Sequence, residues 1–245
     1  MHGSGTIVNV IAIILGGAFG IILKKGIPER FKTTIMQAVG LAVTIIGLSG
    51  ALQGIFTVTS QGNIDRKYIT EMIFYLVIGS LIGEALRIEE GLDKMGMWFQ
   101  SRFAGNGTGF AKGFVTASLV YCVGAMAIVG SLEDGIHGKV DILFAKSLLD
   151  GISAIVFSAT MGIGVIFSAL PVLVYQGSIT ALAGIIKPLL NDVIVSQMSL
   201  VGSVLILAIG FNMLEIKKFK VGNMLPAIFI PLIYSVLYNL VVQIM

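Results

Sequence analysis

Residues 142–186 read ILFAKSLLDGISAIVFSATMGIGVIFSALPVLVYQGSITALAGII, and Lys146 and Asp150 are the only charged residues among them. An α-helix rises about 1.5 Å per residue and a bilayer core is roughly 30 Å thick, so about twenty apolar residues cross it once. The stretch is long enough for two crossings but has no charged loop to separate them. Whether it is one span or two decides the topology of the whole chain.

The rest of the sequence has the same character. Of 245 residues, 56% are hydrophobic and only 12% charged, and the mean hydropathy is +0.97, which excludes an ordinary soluble domain. Apolar runs fall at about 6–23, 33–52, 68–86 and 110–129, then at 142–161, 172–186, 193–211 and 224–242. The first run is too long, and lacks the basic leader and small-residue cleavage site, to be a removed signal peptide. The excess of basic residues gathers in short loops, where it marks orientation and not a nucleic-acid surface. Lys24, Lys25, Arg30 and Lys32 form one basic group; Arg87, Lys94, Arg102 and Lys112 a second; Lys217, Lys218 and Lys220 a third. Eight spans place all three on the cytoplasmic side, with both termini outside, whereas seven would expel the third. The expected fold is therefore an all-α, polytopic transmembrane bundle of about eight spans in a single integral-membrane domain covering residues 1–245. The joint between the fifth and sixth spans falls at Gly162–Pro171, either as a tight turn or as a broken, re-entrant helix buried in protein.

Two smaller features complete the layout. Ile88, Leu92, Met95, Phe99 and Phe103 recur at helical spacing opposite Glu89, Glu90, Asp93, Lys94 and Arg102, which predicts an amphipathic helix on the cytoplasmic leaflet with Trp98 near the headgroups. GGAFGIILK, through Gly16, Gly20 and Lys24, resembles GSLIGEALR, through Gly79, Gly83 and Arg87; MQAVGLAVTIIGLSGAL from Met36 resembles MSLVGSVLILAIGFNML from Met198. A duplication relating residues 1–130 and 141–245 would produce such matches, and so would low-complexity apolar sequence. Glycine-rich spans such as that of Gly16, Gly17 and Gly20 suit close packing, within one chain or in a homodimer.

Asp150 lies about 13 Å along its helix, near the midplane, where an unpaired carboxylate costs about 2.5–3.5 kcal/mol. It is too short to reach the interface, so it needs a partner, a proton or water. Lys146, four residues earlier, shares its face and can pair with it. The alternative is a cation- or proton-linked site facing a wet cavity, with Ser153 on the same stripe and Gln176 on the next span as neutral ligands. Glu133 and Asp134, in SLEDGIHGKVD with His137 and Asp141, form a candidate external vestibule, or else solvated loop acids with Asp141 as an N-cap. Asn9 and Asn212 are polar at depth, where single amides are more often interhelical contacts than ligands. Glu84 can pair with Arg87, and Glu71 suits a helix N-terminus.

Signals for catalysis, cofactors or metals are poor. GISA at Gly151–Ala154 has the look of an intramembrane serine protease without its histidine; NGTGF at Asn106 lacks the setting of a phosphate loop; one histidine in a loop is no metal signature. No catalytic residues, cofactor or metal are expected.

GTIVNVIAIILGGAFGIILKKGIPERFK, TIMQAVGLAVTIIGLSG, GFVTASLVYCVGAMAIVGSLEDGIHG and AKSLLDGISAIVFSATMGIGVIFSALPVLVYQG together resemble the bacterial integral-membrane family catalogued as domain of unknown function 554, the YdfK/YqgA-like proteins. The resemblance spans essentially the whole chain. It implies a multi-pass protein of the bacterial inner membrane and supplies no substrate and no catalytic residues. From the residues themselves the expected function is a transporter or channel for a small solute or ion around Asp150. The other class is a non-transporting membrane protein, structural, regulatory or enzymatic. The expected partners are the lipid bilayer and an unknown solute or ion, with no nucleic acid.

Overall fold

A computed structural model of the chain describes residues 3–24, 28–99, 101, 110–122 and 125–244. Lys25, Arg102, Phe103 and Asn106 lie outside the described residues, as do the side chains of Asp93, Met95 and Phe99. The structure is 83% helical, which settles the class as an all-α bundle. The long helices are α1 (Ser4–Lys24), α2 (Glu29–Ile55), α3 (Ile69–Leu86), α7 (Asp141–Met161) and α11 (Asp192–Met213). Between α2 and α3 lies a short antiparallel hairpin, β1 (Phe56–Val58) and β2 (Ile64–Arg66), with Thr57 opposite Asp65. The amphipathic helix is α4 (Ile88–Phe99), with Met97 and Trp98 both exposed.

The remaining spans are interrupted. Where one straight helix is expected over 110–129, the chain forms two helices of 13 residues each, α5 (Phe110–Cys122) and α6 (Ala125–His137), inclined by 60°. Next come α8 (Gly164–Phe167), α9 (Ala169–Ala181) and α10 (Ala183–Ile186), and later α12 (Val221–Met224), a 3-10 turn (Leu225–Ile228) and α13 (Ile230–Ile244). By length and composition, seven helices among the described residues can cross a membrane, or eight with the bent pair counted as one span.

Two compact units make up the chain, Met1–Val39 with Glu90–Ile186 and Gly40–Glu89 with Lys187–Met245. In the first, α1 and α7 run parallel: Gly5 meets Leu143 near their starts, Gly16 meets the carbonyl of Gly151, and Gly20 meets the carbonyl of Ile155 further along. Those glycines are covered by the chain's own helices. A side chain at Gly16 or Gly20 would enter the backbone of α7, so glycine is what lets the two helices touch. The bent pair lies alongside α8 and α9 in the same direction, with Phe110 against Gly164 at one end and Gly135 against Thr180 and Ala183 at the other. In the second unit α2 and α11 are antiparallel, with Gly40, Gly47 and Gly54 against Leu214, Leu207 and Leu200, and α3 packs through Gly79 and Gly83 on Ala227 and Asn223.

The parallel α1–α7 pair fixes the crossing count. Two parallel spans must be separated by an odd number of crossings; α2 and α3 supply two, so α5–α6 supplies the third. The joint within 142–186 is tighter than the Gly162–Pro171 estimate: only Gly162 and Ile163 separate α7 from α8, and the next span starts at Gly164, not at Val172. Gly162 has φ +90° and ψ −162°, a conformation open in practice only to glycine, and this single residue turns the chain. Pro171 sits in the first turn of α9, where its missing N–H is harmless.

Candidate functional site

Lys146 and Asp150 point from α7 into the first unit, and both are buried. Nζ of Lys146 lies 2.8 Å from Oδ2 and 3.0 Å from Oδ1 of Asp150. One helical turn separates them, so α7 alone sets this contact. What α7 cannot supply comes from its neighbours. From α1, Asn9 donates through Nδ2 to Oδ2 of Asp150 at 3.0 Å, and the same nitrogen faces Oε1 of Gln176, on α9, at 3.4 Å. Asn9 and Gln176 are completely buried.

Of the sequence candidates, the structure thus brings Lys146, Asp150, Asn9 and Gln176 into one cluster. Ser153 is beside it: its hydroxyl donates to the carbonyl of Asp150 at 3.0 Å and lies 3.4 Å from Oη of Tyr121, the penultimate residue of α5. The break in the bent span therefore falls next to the charged pair. The other candidates lie elsewhere. SLEDGIH is the last part of α6 and not a loop, since the helix continues until Gly138, whose φ of +66° stops it. Glu133 accepts from His137 at 3.0 Å on a partly exposed surface, a contact worth little. Asp134 is fully buried and accepts the backbone N–H groups of Gly3 and Gly5 at 2.9 and 3.0 Å. It caps α1, which offers a carboxylate the partial positive charge of a helix N-terminus. Asp141 is in the first turn of α7 and makes no cap bond; Val140 holds the N-cap position. Asn212, in the second unit, clasps Phe219 through both its amide nitrogen and oxygen and closes the loop after α11. Glu84 pairs not with Arg87 but with Lys220 at 2.8 Å and Asn223 at 2.6 Å, because Arg87 adopts a left-handed conformation (φ 51°) at the α3–α4 corner.

Four residues near the cluster escape a sequence reading. Tyr121 is aromatic within an apolar run and looks like core. Thr6, Ser131 and Thr180 are small hydroxyl residues whose ordinary role is to return a hydrogen bond to their own helix, as Ser147 does to Leu143. Thr180 instead donates to the carbonyl of Ser131, on α6, at 3.2 Å. Thr6 and Ser131 are buried with hydroxyl oxygens that have no partner among the described residues. The same is true of Oδ1 of Asn9 and Nε2 of Gln176.

Fold and site define a class: a polytopic helical membrane protein with a broken span beside a buried, hydrogen-bonded ion pair. Comparison with known proteins places it further. The family described as Protein of unknown function (DUF554) matches residues 4–236, and the chain belongs to it. The chain is 35% identical to the "Uncharacterized membrane protein YdfK" of Bacillus subtilis (strain 168), over 93% of either chain. It is 31% identical to the "Uncharacterized protein YqgA" of Escherichia coli (strain K12), over 91% of this chain and 92% of that one. No solved structure matches.

Proposed function

We propose that the protein carries a small solute or ion across the bacterial cytoplasmic membrane, by alternating access or gated passage, through a site centred on Asp150. The observation that supports this reading is the break between α5 and α6 beside a buried ion pair and two carboxamides with unpartnered atoms. Two short helices inclined by 60° within one span are the arrangement by which membrane transporters commonly build substrate sites. Charged residues at membrane depth mark solute pathways as well.

One observation favours a structural reading: the pair is already closed at 2.8 Å within a single helix. Proteoliposome flux over a panel of cations, anions and small neutral solutes, for wild type and Asp150→Asn, separates the two. Transport predicts a folded Asp150→Asn protein with altered flux, which exchanging Lys146 and Asp150 does not rescue. A structural pair predicts a destabilised Asp150→Asn protein whose stability the exchange restores, and no flux in the wild type.

A further inference from the structure

Building on the transport reading, we infer that the site receives a small uncharged molecule that carries both a hydrogen-bond donor and an acceptor, of the carboxamide, urea or alcohol class, and not a metal cation or a free anion. The orientation of Asn9 is fixed by its neighbour. Only the NH2 of its amide can face the carboxylate of Asp150, since the amide oxygen would face like charge. Its second hydrogen meets Oε1 of Gln176, which turns the NH2 of Gln176 away in its turn. The two fully buried amides are left with one acceptor, Oδ1 of Asn9, and one donor group, Nε2 of Gln176, without partners among the described residues. A buried polar group left in that state costs about 1–3 kcal/mol, so the fold keeps two of them at a price that a binding role explains.

Charge then narrows the class. Lys146 and Asp150 sum to zero at 2.8 Å. A cation approaching Asp150 meets the ammonium already on the same carboxylate, and an anion approaching Lys146 meets the carboxylate. A neutral group that donates to Asn9 and accepts from Gln176 completes both amides and disturbs neither charge. Adaptable polarity continues on both flanking helices: Thr6 lies three residues before Asn9 on α1, and Thr180 four after Gln176 on α9, in contact with Ser131. The hydroxyls of Thr6 and Ser131, unpartnered as well, can each donate or accept.

The test uses the full chain in proteoliposomes, with urea and acetamide as neutral probes and rubidium, sodium and formate as charged ones, and compares wild type with Asn9→Leu and Gln176→Leu. Urea or acetamide should enter wild-type vesicles, at least tenfold more slowly in both variants, and should raise the wild-type melting temperature but not theirs. Gln176→Leu removes an unpartnered NH2 and an oxygen held only at 3.4 Å, so without probe it should melt at or near the wild-type temperature, whereas Asn9→Leu also loses the bond to Asp150 and should melt lower. Stabilisation by a neutral probe without entry would keep this ligand class and remove the transport reading. Entry of rubidium, sodium or formate that depends on Gln176, with no response to urea or acetamide, would keep transport and overturn the ligand class. A Gln176→Leu protein that melts well below wild type, with no probe bound, would also overturn it, since that amide would then be held by structural water.

Discussion

Asp134 and Asp150 are both carboxylates buried in helical segments, and each is compensated differently. Asp150 has a cation one turn away in its own helix. Asp134 has the N-terminus of another helix, the backbone N–H of Gly5 in α1 and that of Gly3 just before it. Hydrogen bonds to a charged group contribute about 1.5–3 kcal/mol, and losing the acceptor leaves two donors buried. Asp134→Ala is therefore expected to destabilise the protein by about 2–3 kcal/mol and Asp134→Asn by less, since an amide oxygen still accepts one bond. Thermal unfolding in detergent micelles measures this, and protease sensitivity should rise at the start of α1. The Lys146–Asp150 contact is legible in the sequence because four-residue spacing in a helix is local geometry. The cap at Asp134 is not, because nothing near it in sequence shows that residues 3–5 arrive there; the acid reads instead as a solvated loop acid or as part of an external vestibule.

At the level of elements, glycine position governs which helices touch. Gly20 faces the carbonyl of Ile155 and lies where a Cβ would come within 2.9 Å of Cβ of Ser158, whereas nothing comes within 4 Å of a Cβ at Gly91, in α4. Backbone cannot yield as a flexible side chain can, so Gly20→Leu should cost about 3 kcal/mol or prevent α1 from docking on α7. Gly91→Leu should leave stability within about 0.5 kcal/mol of wild type, as surface substitutions usually do. Melting temperatures of the two variants, together with their yield as folded protein, decide the point; equal losses would contradict the α1–α7 packing. The similarity between the Gly16–Gly20 and Gly79–Gly83 segments has a counterpart in use, since both glycine pairs meet the backbone of a partner helix. The partners run in different senses, parallel to α1 but antiparallel to α3. The break between α5 and α6 has no hydropathy signature: 110–137 holds enough apolar residues for one straight helix.

For the molecule as a whole, topology follows from combining loop charge with the parallel α1–α7 pair. Single cysteines at Lys67, Lys112, Lys139 and Lys218, in a Cys122→Ser background, should label from outside at Lys67 and Lys139 only, and from inside at Lys112 and Lys218 only. Labelling of Lys112 and Lys139 from the same side would show that α5–α6 returns without crossing, which the parallel pair forbids. Labelling of Lys218 from outside would displace the whole count.

The sequence by itself determined that this chain is a membrane-spanning helical bundle of about eight crossings and that Asp150 must be compensated, and it supplied an expected orientation for the loops. Composition, apolar run length, basic-loop asymmetry and i, i+4 spacing are all short-range properties. Only the tertiary structure decided that α1 delivers Asn9 to that carboxylate and α9 delivers Gln176 to Asn9, that a broken span ends beside them, and that one amide oxygen and one amide NH2 stay unpaired among the described residues. Those facts depend on separations of 141 and 167 residues along the chain. Apolar spans can be brought together in many arrangements with nearly the same burial, and the choice among them rests on where glycines admit a neighbouring backbone and where buried polar groups find one another.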